Sequence, residues 1–282
     1  MAGLTLPSLA TTYSWIKTGT SSNNWNAAAN WSPNTGFPNA VGDVANITPD
    51  ATGYVTNVLN QATITIGILN IGDSGIDVNA RYPFRIVSNA TGQTLVFDNG
   101  ATGAQLNQTA ASSGNLIAVP VQIANALTIS SATPDRSLTM SGVISGGSLT
   151  KSGLGEILIT APNTFEGVLS VQGGRLVCTA QASGSPLGAA TNSIIIGGSN
   201  PGVASYTPTL FITNTTSAST TTFGDLTAGG SFNSGYLAPG ASVGGTSYLQ
   251  GEDLIHDAGG KLVISPINAT NLAVRERVQF SG

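Results

Sequence analysis

Charge is the property this chain has least of. Nine Lys and Arg against 13 Asp and Glu make 8% of 282 residues, with a net charge of −4, whereas an ordinary globular chain is about 25% charged. So few, scattered cations cannot neutralise a run of phosphates, which excludes nucleic-acid binding as a function class. Charge-driven disorder is excluded as well, because it requires low hydrophobicity with high net charge, and this chain is 40% hydrophobic. Solubility must rest on neutral Ser, Thr and Asn, and 36 Gly supply tight turns. A single cysteine, Cys178, allows no intramolecular disulfide and no thiolate metal cluster. Its apolar setting, Leu176-Val177-Cys178, marks it as a small core residue. No apolar run reaches 18 residues, so no helix is expected to enter a membrane. The first residues lack a basic start and are broken by Thr5, Pro7 and Ser8, which is unlike a secretory signal.

Helical periodicity is missing too: no i, i+3, i+4, i+7 stripe is sustained. Short alternating pairs take its place, among them Leu95/Phe97, Leu138/Met140, Ile157/Ile159 and Leu210/Ile212, with turn residues between them. Ile64, Ile66 and Ile68 alternate, and Leu69 and Ile71 continue on the opposite parity, which predicts a strand, a corner and another strand. Val119/Val121, Leu138/Met140, Ile157/Ile159 and Leu176/Cys178 recur every 19 residues, with Ile195 one step beyond Leu176, and Leu149, Val168 and Leu187 form a second series. Regular recurrence near 20 residues predicts stacked coils in which equivalent inward side chains form columns. The expected fold is therefore all-β, a right-handed parallel β-helix (solenoid). An N-terminal aromatic cap over 1–50 precedes the β-helix at 51–200, and an irregular β-rich region follows at 201–282.

The run Gly147-Ser-Leu149-Thr-Lys151-Ser-Gly153-Leu-Gly155-Glu-Ile157-Leu-Ile159, followed by Asn163-Thr164-Phe165-Glu-Gly167, Val171 and Gly174-Arg-Leu176, resembles the autotransporter-associated β-strand repeat, also called the passenger-associated transport repeat. A looser likeness runs through Trp15, Asn24-Trp25, Asn30-Trp31-Ser32, Gly42-Asp43 and Asp98-Asn99-Gly100. The resemblance implies a parallel β-helix displayed on an outer surface in structural or adhesive roles, in bacterial passengers and in some phage particle proteins. The expectation is a non-enzymatic structural element on the virion surface, such as a decoration, fibre or tail component. A bacterial surface passenger or adhesin is the first alternative, and a β-helix polysaccharide-degrading enzyme the second. Expected partners are further copies of the chain, a trimer being one form, other particle or cell-surface proteins, and surface polysaccharide; no cofactor and no membrane insertion are expected.

Three residue groups are candidate sites. Trp15, Trp25 and Trp31 either close the end of the fold or, if exposed, offer ring faces to a glycan. Glu252, Asp253, His256 and Asp257 gather acids around the one histidine, yet no second His or Cys completes a metal site. Asp73, Asp77 and Asn79 could approach a Ca²⁺ ion but lack the repeat of a calcium β-roll. No catalytic residue is expected. Glu156 and Arg175, 19 apart, are expected to pair across adjacent coils.

Overall fold

The computed structural model describes residues 9–77, 81–109, 114–134, 137–197, 208–214, 218–229, 234–239, 246–256, 261–264 and 276–281. Among them the regular structure is strand, with only two short 3₁₀ turns, Ala28–Asn30 and Gly100–Thr102. The largest sheet has a main path beginning at Trp31–Ser32 and Thr12–Trp15. It continues through Val44–Ile47, Ile68–Ile71, Ala104–Gln108, Val121–Ser131, Ile144–Ser152, Val168–Val171, Ser193–Ile196 and Leu226–Ala228 to Leu254–His256. The second sheet runs from Ser22–Asn24 through Val55–Leu59, Phe84–Ser88, Asn115–Ile117, Ser137–Met140, Glu156–Ile159, Arg175–Ala180, Thr209–Asn214 and Ser234–Pro239 to Lys261–Ile264. A third row joins Thr63–Ile66, Thr94–Phe97, the first residues of Val121–Ser131 and of Ile144–Ser152, and Thr164–Phe165. The three-stranded sheet Ala218–Thr222, Thr246–Gly251, Glu276–Phe280 follows in the same place in the strand order. Among the described strands all pairings are parallel except that of Thr12–Trp15 with Trp31–Ser32.

Because the side-chain period along a strand is two, in-register parallel neighbours put like positions over one another. Leu138, Ile157, Leu176, Leu210 and Leu237 are successive Cα partners, and so are Ile117, Met140, Ile159, Cys178 and Ile212. All are buried and belong to one continuous core. The expected 19-residue step holds from Leu138/Met140 to Leu176/Cys178 and fails on both sides. The partner of Met140 is Ile117, and that of Cys178 is Ile212. Val121 lies in the third row between Leu95 and Ile144, while Ile195 stands in the first sheet beside Ser170 and Thr227. In the second series Leu149 pairs with Leu169 rather than Val168, and Leu187 is buried outside any strand. Corner loops of unequal length shift the register of the sequence without disturbing the register of the sheets.

The sheets also cross both expected boundaries. Val44–Ile47 pairs with Ile68–Ile71 across residue 50, and Arg175–Ala180 pairs with Thr209–Asn214 across residue 200. After residue 200 the described strands of these two sheets continue their parallel pairing.

Corners form where side chains would collide. The expected bend between Ile66 and Ile68 falls at Gly67, where a Cβ would come within 2.7 Å of the Gly42 Cα. At Gly146, with φ of 93°, a Cβ would run into the carbonyl oxygen of Ile123 on the neighbouring strand. That strand pair shifts register between Ile123 and Ala126, where both strands turn the corner.

Candidate functional site

The expected aromatic site lies at the first end of the largest sheet. Thr12–Trp15 and Trp31–Ser32 pair antiparallel there and bring Trp15 opposite Trp31. The Trp31 ring meets Trp15 at 4.9 Å and Trp25 at 5.0 Å, both edge-to-face. Trp25 Nε1 donates to the Pro38 carbonyl at 2.9 Å and Trp31 Nε1 to the Trp25 carbonyl at 2.7 Å. The rings are 2%, 0% and 0% exposed for Trp15, Trp25 and Trp31. That corrects the glycan-platform expectation for these residues, because a sugar can stack only on a face that solvent reaches. Phe37 packs against the same core.

The acidic candidates are occupied by the chain itself or are not brought together. Asp73 is buried, and its carboxylate accepts the backbone N–H groups of Gly75 and Tyr82 at 2.8 Å and of Ala51 at 3.2 Å. It thereby ties its own loop to the loop that holds Ala51 and offers little to a cation; Asn79 lies outside the described residues. Glu252 and Asp253 are exposed, and His256 ends the strand Leu254–His256; its side chain and Asp257 lie outside the described residues. No group of three metal-ligating side chains forms among the described residues. Cys178 is fully buried, and burial pushes its thiol well above the ordinary range. Glu156 and Arg175 are Cα partners and form the expected ion pair at 3.2 Å. Arg175 also lies over the Phe211 ring at 5.1 Å.

One functional-looking side chain was not singled out by the sequence. Lys151 occupies an inward column between Ile129 and Val171 and is 1% exposed. Its Nζ donates to the carbonyls of Ser152, Gly153 and Gly173 at 2.6, 3.0 and 2.9 Å. Burial lowers the ammonium from 10.5 to about 7. The lysine bridges the corner of its own strand to the corner that follows the neighbouring strand Val168–Val171. Asn163 and Asn192 do similar work at other corners. Asn163 accepts from Ile144 N and donates to the Pro186 carbonyl, both at 2.8 Å. Asn192 accepts from Gly167 N at 3.0 Å and donates to the carbonyls of Phe165 and Leu187 at 2.9 and 3.0 Å. Lys151, Gly153, Asn163, Phe165 and Gly167 of the quoted run thus serve the corners and the core.

The outer face of the first sheet is a neutral amide and hydroxyl surface. Asn46, Asn70 and Asn107 stack in register, and Nδ2 of each upper residue donates to Oδ1 of the one below, at 2.7 and 3.0 Å. Beside the ladder a shallow groove of about 470 Å³ is lined by Gln105, Asn107, Thr128, Ser130 and Ser152 among others. The chain matches no family model, and no curated protein or solved structure matches it either.

Proposed function

We propose that the protein is a non-enzymatic structural rod, a right-handed parallel β-helix mounted as a homo-oligomer on the outside of a phage particle, where it meets other particle proteins and the host surface. The observation that carries this reading is the pair of long sheets, parallel except where Trp31–Ser32 joins the first, whose inward residues stay in column over successive strands. Each added coil buries another layer of apolar side chains and pairs every strand on both edges, so stiffness grows with length at little cost in charge. The outward neutral ladder suits a surface that must stay hydrated over that length. Nine strand steps from Thr12–Trp15 to Leu254–His256 at about 4.8 Å each give a sheet roughly 43 Å long. The resemblance over residues 147–188 favours a second reading, a bacterial surface passenger, with the same architecture and a different mounting.

The test is immunogold electron microscopy with antibody raised to the purified protein, on phage particles and on bacterial cells in parallel. Label on intact particles supports the first reading; label confined to the cell envelope replaces it with the second. Hydrolysis of surface polysaccharide by the purified protein would overturn both.

A further inference from the structure

The three-stranded sheet at the end of the third row carries a second outward face, and its chemistry differs from that of the Asn ladder. Alternation turns Thr221 and Leu249 into the core and leaves Thr220, Tyr248, Gln250 and Gln279 outside. Register sets Thr222, Gln250 and Gln279 side by side on successive strands, with Thr220 beside Tyr248. Two adjoining concavities lie here, of about 340 and 350 Å³, and both are lined by Gln250 and Gln279. Tyr248 and Thr220 complete the first; Thr191, Thr222, Glu252 and Ser281 help complete the second. Each volume falls at the small end of the ~300–1,000 Å³ range of small-molecule sites.

The floor is built rather than incidental. Phe223 is buried and meets Phe280 edge-on at 6.4 Å. Phe223 N donates to the Gln250 carbonyl at 2.9 Å, and Ser281 N donates to the Glu252 carbonyl at 3.1 Å. A Cβ at Gly251 would run into the Phe223 ring.

Each glutamine amide presents a donor and an acceptor in one plane, which matches a pair of neighbouring hydroxyls, themselves both donors and acceptors. The half-buried Tyr248 adds an apolar ring with a polar tip, and the Glu252 carboxylate is a strong acceptor for a hydroxyl. Among the described lining residues Glu252 is the one charged side chain, and a carboxylate there repels an anion. A peptide adding as a strand would dock along an edge such as that of Glu276–Phe280, whereas the glutamine amides stand on the flat face. We propose that this face binds a neutral oligosaccharide, one sugar ring against Tyr248 and the next held by Gln250, Gln279 and Glu252. The proposal is independent of where the rod is mounted; its failure would leave the architecture and the structural role untouched.

The experiment is an NMR titration of the ¹⁵N-labelled protein with maltohexaose, cellohexaose, mannohexaose and laminarihexaose, and with an alginate hexamer as the acidic arm. Arg277 stands beside Tyr248 in backbone register, which makes the acidic arm the test of neutrality. At least one neutral hexamer is expected to bind with a Kd below ~1 mM and to shift amides within 220–223, 248–252 and 279–281. Tyr248→Ala and the double variant Gln250→Ala/Gln279→Ala should each weaken binding tenfold or more, while Ser130→Ala, on the other outward face, should leave it unchanged. Amide dispersion of each variant checks that it is folded. No shift from any neutral hexamer at ~10 mM, binding equal in all variants, or preference for the acidic hexamer would overturn the proposal.

Discussion

Replacing Lys151 by Met keeps the length of the side chain and removes the ammonium from the core. At any one pH the net effect is a balance of comparable terms. Below pH 7 three corner carbonyls lose their donor, and above it two, because the neutral amine keeps only two N–H groups; each group left unsatisfied costs about 1–3 kcal/mol, while below pH 7 the penalty for burying the charge is relieved. The pH dependence separates them. The folded ammonium titrates near 7 and the unfolded one near 10.5, so between those values unfolding takes up a proton. A group with its folded pKa lowered penalises the fold fully below pH 7, and the penalty disappears as pH rises to 10.5. Wild-type stability should therefore gain about 1.4 kcal/mol per pH unit relative to Lys151→Met, up to about 5 kcal/mol in all. Urea unfolding at pH 7.5 and 9.5 should show the wild-type advantage over Lys151→Met growing by about 2.5 kcal/mol. The Cys178 thiol, held neutral by burial, lowers the stability of both proteins alike at the upper pH and cancels in the difference. A difference that stays flat over this range would refute the reasoning, since it would mean that Lys151 keeps one protonation state through unfolding.

Gly146→Ala forces a Cβ into the Ile123 carbonyl at positive φ and should cost at least about 2 kcal/mol by urea unfolding. Trp31→Ala empties the centre of the indole cluster and should cost about 3–5 kcal/mol; in the wild type, tryptophan emission should lie at short wavelength and move to the red on unfolding. Glu156→Gln breaks an ion pair whose members are 28% and 51% exposed, so its effect should stay below about 1 kcal/mol and shrink further with added salt. Asp73→Asn leaves the fold of the loops in place but weakens three backbone hydrogen bonds, with a loss of about 2 kcal/mol by the same assay.

The alternation of apolar residues made the strands legible, and the glycines marked their corners, because both signals are local: side chains face alternately in and out, and a turn packed against a neighbouring strand admits no Cβ. Which strand lies over which was legible only where the corner loops happen to have equal length, from Leu138 to Cys178. Elsewhere a period in the sequence cannot separate one row from another, so Val121 and Ile195 fell on the expected spacing although neither lies in the second sheet with Met140, Ile159 and Cys178. The tryptophans were read correctly as a cluster, but burial depends on the antiparallel return of Trp31–Ser32, which no local pattern signals. Lys151 escaped notice for the opposite reason. A lysine alternating with Thr150 and Ser152 looks like a solvated position, and only the three carbonyls of the surrounding corners make it an inward one.

Backbone amide-to-amide NOEs in the deuterated protein probe the pile-up of strands most directly, because they depend on which strands are neighbours and not on side-chain identity. Cross-strand contacts should link the segments around Met140, Ile159, Cys178 and Ile212 in sequence and in parallel register. They should link Val121 to the segments around Leu95 and Ile144 and not to that around Met140. Contacts running instead between consecutive strands in antiparallel order, as in a chain of hairpins, would contradict the account.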